Sequence, residues 1–178
     1  MDGRRSCRDK WSGTMGNREA FFSSVMYHVK NIAPKKMKIS TYFRIEEFIP
    51  KEIYTRFGDK SIIFIDKRII LLADFIRDRF GKSMTINNWH SAGAFNNRGF
   101  RVPDCATGGT LSQHKFGRAI DFNISGVMPD EVAKDIMTNF DMYSKAGLTT
   151  IEDHTFTKGW THCDIRQTAQ TALLIVKP

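Results

Sequence analysis

The clearest periodicity in the chain begins after Asp66. Ile69, Leu72, Ala73, Ile76 and Phe80 recur at helical spacing, Asp66 stands at the N-cap position and Gly81 follows where a left-handed C-terminal residue is favoured. The pattern predicts a helix over 67–80. Upstream, Tyr42 to Tyr54 predicts a short helix, a break at Pro50 and a further helical turn. Downstream, Met84 to Trp89 reads as a short strand. The Gly/Asn-rich stretch from His90 to Gly109 then loses all apolar periodicity, and a loop of that length marks a functional or mobile segment.

Alternation returns at Arg118 to Ile124. Ile120, Phe122 and Ile124 fall on one side and Ala119, Asp121 and Asn123 on the other, as in a strand with one wet face. Pro129 at a helix start, Asp130 and Glu131 in its first turn, and Val132, Ile136, Phe140 and Tyr143 at helical spacing predict a second amphipathic helix ending at Gly147. Two strand-like runs close the pattern, Leu148 to Asp153 and Trp160 to Ile165, joined by a hairpin-like connection containing Gly159. The expected fold class is α+β, with a small antiparallel sheet flanked by helices.

Composition changes this picture little. A chain of 178 residues, 41% hydrophobic, suits one globular domain with a core of its own. No run reaches the roughly 18 apolar residues of a membrane span, and no apolar signal core is present, so synthesis in a cytoplasm without a signal peptide is expected. Cys7, Cys105 and Cys163 are odd in number and lack CxxC pairing, which predicts free thiols. No P-loop, GxGxxG, HExxH or GxSxG is found, which removes the commonest nucleotide, zincin and serine-hydrolase readings.

The net charge of +8 matters through its distribution. Residues 1 to 38 hold nine Lys or Arg against three Asp or Glu, so the basicity belongs mostly to the N-terminal stretch. Residues 1–36 read as a basic, flexible tail and 37–178 as the folded domain, with Met37 an alternative natural start. A basic arm attracts nucleic acid or an anionic envelope, but a solvated tail is the expectation here, and nucleic acid is not an expected partner. The protein is expected to be a monomer.

Candidate chemistry concentrates in two places, Ser112-Gln113-His114-Lys115-Phe116-Gly117-Arg118-Ala119-Ile120-Asp121 and Trp160-Thr161-His162-Cys163-Asp164. Strand alternation turns Asp121 away from the apolar trio and puts His162 on one face with Trp160 and Asp164. Gly117 permits a tight turn and close backbone approach between His114 and the strand. Two imidazoles and one carboxylate suit a catalytic zinc ion, with a fourth position left for water. Asp164 is placed to orient a ligand imidazole. Ser112 and Gln113 flank the first ligand, either to contact substrate or to stabilise the turn. Five fixed positions at a usage of roughly 5% each match by chance about once in a million positions or fewer.

At these residues the chain resembles the zinc D-alanyl-D-alanine carboxypeptidases and related peptidoglycan endopeptidases, whose signature is SxHxxGxAxD followed by a C-terminal histidine. The resemblance spans about Met37 to Arg166. It implies a hedgehog/DD-peptidase-like fold, zinc ligation by His114, Asp121 and His162, and a substrate-binding, oxyanion-stabilising role for Arg101 in Gly99-Phe100-Arg101. The layout looks most like the short forms encoded by bacteriophages and prophages. The resemblance therefore implies hydrolysis of peptidoglycan peptides by a lytic or virion-associated enzyme acting on the cell wall.

Several family members carry the catalytic acid three residues before the last ligand, where this chain has Gly159. Alternation instead puts Glu152 with His154 on the face opposite Ile151, which makes Glu152 the expected proton-transfer residue, with Asp153 and then His154 as alternatives. The segment also resembles the hedgehog signalling domain, which shares the fold and zinc site without being a peptidase. A non-catalytic zinc module is accordingly the main competing expectation, and a nucleic-acid-binding protein the weaker one.

Overall fold

The computed structural model describes residues 37–178. The basic tail and Cys7 lie outside the described residues.

Phe43, Ile45, Phe48 and Ile49 are fully buried around a 3-10 turn at Ile45–Glu47, which anchors the start of the domain. Pro50 then caps helix α1 (Lys51–Phe57), as the proline break predicts. A longer 3-10 segment, Gly58–Phe64, leads into α2 (Lys67–Phe80). The Asp66 carboxylate accepts from the Arg68 N–H at the start of α2, and Gly81 ends it at φ 60°. Ile69, Ile70, Leu72, Ala73 and Ile76 form its buried stripe.

The sheet has five strands: β1 (Met84–Thr85), β2 (Ala119–Ile124), β3 (Thr150–Glu152), β4 (Thr161–Asp164) and β5 (Leu174–Val176), in the order β1-β2-β4-β3-β5. Four strands pair antiparallel, but β5 runs parallel to β3, so the sheet is mixed rather than purely antiparallel. Ile120, Phe122, Ile151, Cys163 and Ile165 lie in the core, against which α2 and α3 (Pro129–Thr138) pack their apolar stripes.

Three further expectations need correction. The strand proposed for Met84 to Trp89 stops at Thr85. Asn87 is buried there, and its side-chain amide donates to the Ile49 carbonyl while its oxygen accepts from the Arg98 N–H, so the chain leaves the sheet to bracket the following loop. The helix expected from Pro129 to Gly147 is two, α3 and α4 (Phe140–Lys145), separated by Asn139. That residue's side-chain amide donates back to the Asp135 carbonyl and carboxylate and ends α3. The face of β2 expected to be wet is largely dry: Ala119 and Asp121 are buried.

Candidate metal centre

The site grows out of strand register. Asp121 on β2 lies opposite His162 on β4, and the N–H of Asp121 donates away from β4, to the Arg98 carbonyl at 2.7 Å. The two residues therefore form a non-hydrogen-bonded pair, the class in which facing side chains come closest. Thr150 lies opposite Asp164 and Ile151 opposite Cys163, so continuing the same register sets Glu152 opposite His162. Asp121, His162 and Glu152 thus form one row across three strands, on the face turned away from the hydrophobic core.

His114 joins the row from a 3-10 turn, Gln113–Phe116. Gly117 makes that turn possible: its φ is +65°, and a Cβ there would stand 1.9 Å from the Phe64 carbonyl oxygen. Gly99 is equally confined, since a Cβ on it would lie 2.2 Å from the Phe48 carbonyl oxygen. Its own carbonyl oxygen accepts from His114 Nδ1 at 2.7 Å. A carbonyl only accepts, so the proton of neutral His114 sits on Nδ1 and the lone pair on Nε2 faces the row.

His162 uses the other nitrogen. Its Nε2 donates to Asp164 Oδ2 at 3.1 Å, and its Nδ1 faces Asp121 Oδ1 at 2.8 Å. His114 Nε2 stands 3.3 Å from His162 Nδ1 and 3.3 Å from Asp121 Oδ1. Tetrahedral metal–ligand bonds of about 2.0–2.1 Å set donor atoms roughly 3.3 Å apart, so two of the three separations already match. His114, Asp121 and His162, all buried, are a group able to hold a metal ion.

Electrostatics prepares the same three atoms. Burial lowers the pKa of His114, which keeps its imidazole neutral. Burial opposes the charge on Asp121, but His114 and His162 beside it hold the carboxyl well below its usual range. Burial also disfavours a charged His162, yet hydrogen bonds to Asp121 and Asp164 outweigh it and push the pKa up to about 9. The proton on His162 Nδ1, between imidazole and Asp121, occupies the direction in which a metal ion would bind, so metal uptake would displace it.

A cleft of about 410 Å³ opens over the cluster, with Arg101, Ser112, Glu152, Trp160 and Arg166 among its walls. The loop from His90 to Gly109 supplies Arg101, and its residues 107–109 also border the cleft. Arg101 donates from Nη2 to Asp121 Oδ2 at 2.6 Å and from Nε to the Asn97 carbonyl at 2.6 Å. Glu152 is half-buried, with Oε1 3.7 Å from His162 Nδ1, and burial raises its carboxyl pKa. Ser112 makes no capping hydrogen bond to the turn it precedes, and like Gln113 it borders the cleft.

The two alternatives to Glu152 lie elsewhere. Asp153 turns its carboxylate onto the Thr155 N–H and hydroxyl at 2.9 and 2.7 Å. His154 borders a separate depression with Met128 and Asp130. Gly159 gives its carbonyl to the Asn123 side-chain amide at 2.8 Å.

Sequence reasoning missed Arg166 and the 176–178 stretch as cleft walls. Arg166 had a signal, since Trp160, His162, Asp164 and Arg166 continue one two-residue alternation. The 176–178 stretch had none, because it reaches the cleft only through the parallel pairing of β5 with β3.

Fold and site together define an α+β protein with a buried His–Asp–His cluster, able to hold a metal ion, on the floor of a cleft. Comparison with protein-family models, with curated proteins and with solved structures returns no match. Among the described residues no helix is long and apolar enough to cross a membrane. Cys105 and Cys163 are unpaired thiols, as expected.

Proposed function

We propose that this chain is a zinc-dependent peptidase that hydrolyses peptide bonds in peptidoglycan stem peptides or their cross-links. The observation that carries the reading is the convergence of His114 Nε2, Asp121 Oδ1 and His162 Nδ1 beneath a cleft, with a half-buried carboxylate 3.7 Å from one of them. The spacing SxHxxGxAxD and its resemblance to the zinc carboxypeptidases supply the substrate class.

His114, Asp121 and His162 would hold the ion. The chemistry that zinc supplies in such a setting is polarisation of a carbonyl and acidification of a water to a pKa of about 7. Glu152 serves as the proton-transfer residue: its raised pKa moves it toward the working pH, so it takes a proton from the attacking water and returns it to the leaving amine. Arg101 lies on the opposite side of Asp121, where its guanidinium offers positive charge to the developing oxyanion. The substrate lies in the wall, so the reading includes delivery by phage-mediated release or as a virion component.

The test uses the full chain loaded with stoichiometric zinc, incubated with purified cell walls and with muropeptides, and the products read by mass spectrometry. Cleavage at one type of peptide bond is expected, and Glu152→Gln should lower turnover by about 10²–10⁴ while zinc is retained. If zinc-loaded protein releases no new amine, the chain is a non-catalytic zinc module and the peptidase reading is wrong.

A further inference from the structure

Arg166 leaves β4 two residues after Asp164 and folds back onto it. Its Nε lies 2.9 Å from Asp164 Oδ1 and 3.0 Å from Oδ2, its Nη2 lies 2.5 Å from Oδ2, and its backbone N–H donates to Oδ1 at 3.0 Å. Asp164 is fully buried, and the same Oδ2 accepts from His162 Nε2 at 3.1 Å. Thr149 Oγ1 donates to the Arg166 carbonyl at 2.8 Å, which pins this residue's backbone to the start of β3. A buried carboxylate is thus held between a guanidinium on one side and an imidazole on the other.

An imidazole can turn either nitrogen toward the cluster, and its orientation is set by what the second nitrogen binds. Here that partner is Asp164, and the orientation of Asp164 is set in turn by the planar fork of Arg166. Lysine has no such fork and holds a carboxylate from a single point.

We propose that Arg166 is a positioning residue: by clamping Asp164 it keeps His162 turned with Nδ1 toward His114 and Asp121, and so sets how tightly the cluster holds a metal ion. This rests on the metal-binding part of the reading above and is independent of the peptidase part.

The test measures zinc affinity of the full chain by competition with a chromogenic chelator, in the parent, Arg166→Ala, Arg166→Lys, Asp164→Asn and the Arg166→Ala/Asp164→Asn double variant. The ring signals of His162 in metal-free protein, followed by NMR, give a second readout that needs neither metal nor activity. Arg166→Ala is expected to weaken zinc binding by roughly 10- to 100-fold, with Arg166→Lys between it and the parent. The double variant should bind no more weakly than Asp164→Asn alone, because both changes break one chain of contacts. The His162 Nε2–H signal should shift or broaden in Arg166→Ala.

Zinc affinity within about twofold of the parent in Arg166→Ala, with unchanged His162 signals, would overturn the proposal, as would fully additive losses in the double variant. Should Arg166→Ala fail to fold, the same cycle built with Arg166→Lys decides the matter. A parent that binds zinc but cleaves nothing sinks the peptidase reading alone, whereas a parent that binds no zinc sinks both.

Discussion

Two polar clusters in this domain centre on a carboxylate, and they differ in how that carboxylate is satisfied. Between α2 and α3, Asp135 accepts from Arg79 Nε, Arg79 Nη2, the Tyr143 hydroxyl and the Asn139 amide. Four fixed donors meet about four lone-pair sites, so the cluster is closed and holds helices together. On the other face of the sheet, Asp121 Oδ1, His114 Nε2 and His162 Nδ1 converge with at most one proton among them. That cluster is held by a proton on His162 Nδ1 rather than by four fixed donors, and it opens on a cleft. A saturated carboxylate is a staple; a converging set that shares one displaceable proton is a place for a cation.

The strongest way to break this comparison is to remove one converging acceptor. On the proposed reading His162→Ala should lose stoichiometric zinc on gel filtration while far-UV circular dichroism stays at the parent level, because the residue would serve a bound ion. Zinc retained at one equivalent, read by elemental analysis, would show that the cluster is not the metal centre. Next in size is Gly117→Ala. A left-handed φ and a Cβ 1.9 Å from the Phe64 carbonyl oxygen together should cost roughly 3 kcal/mol or more in chemical denaturation. The variant should also weaken zinc binding, since the turn that carries His114 must shift.

These effects mark what the sequence made legible. Helix α2 was readable in full because Asp66, the apolar stripe and Gly81 are all local signals. The cluster of His114, Asp121 and His162 was readable because strand alternation and one glycine turn place it. Three features were hidden because the hydrophobic pattern does not encode the hydrogen bonds that decide them. Asn87 ends β1 by bonding Ile49 and Arg98, and Asn139 divides the expected helix by bonding Asp135. β5 exists only because its three residues find β3. Alternation set Glu152 apart from Asp153 but left His154 on the same face, and the place of Glu152 opposite His162 required the register of β3 on β4.

The closed cluster predicts a contrasting result. Asp135→Asn should lower stability by roughly 1–2 kcal/mol, kept small because about 25% of the Asp135 side chain stays exposed, and should leave zinc affinity unchanged. Hydrogen bonds from Arg79 hold the Asp135 carboxyl below its ordinary 3.8. A depressed carboxylate contributes stability above its unfolded pKa and loses it as pH falls through the folded value. The stabilities of parent and variant, measured by urea denaturation, should therefore differ at neutral pH and converge below about pH 4. A gap that persists at acid pH would mean that packing, not charge, holds α2 to α3.

The smallest expected effect is the sharpest discriminator of the proton-transfer residue. Asp153 adjoins Glu152, but its backbone N–H donates to the Val176 carbonyl at 2.8 Å and its carboxylate caps Thr155. Those hydrogen bonds hold its carboxyl below the ordinary range, so it is a poor base at neutral pH. Asp153→Asn keeps an oxygen able to accept from Thr155, so melting temperature, zinc content and turnover should all stay near the parent values. Glu152→Gln keeps the fold equally well yet removes the one ionisable oxygen 3.7 Å from His162 Nδ1. Turnover assays of the two variants side by side should separate them by orders of magnitude. The reverse order, with Asp153→Asn inactive and Glu152→Gln active, would mean that the row Asp121, His162, Glu152 does not define the reacting edge of the cleft.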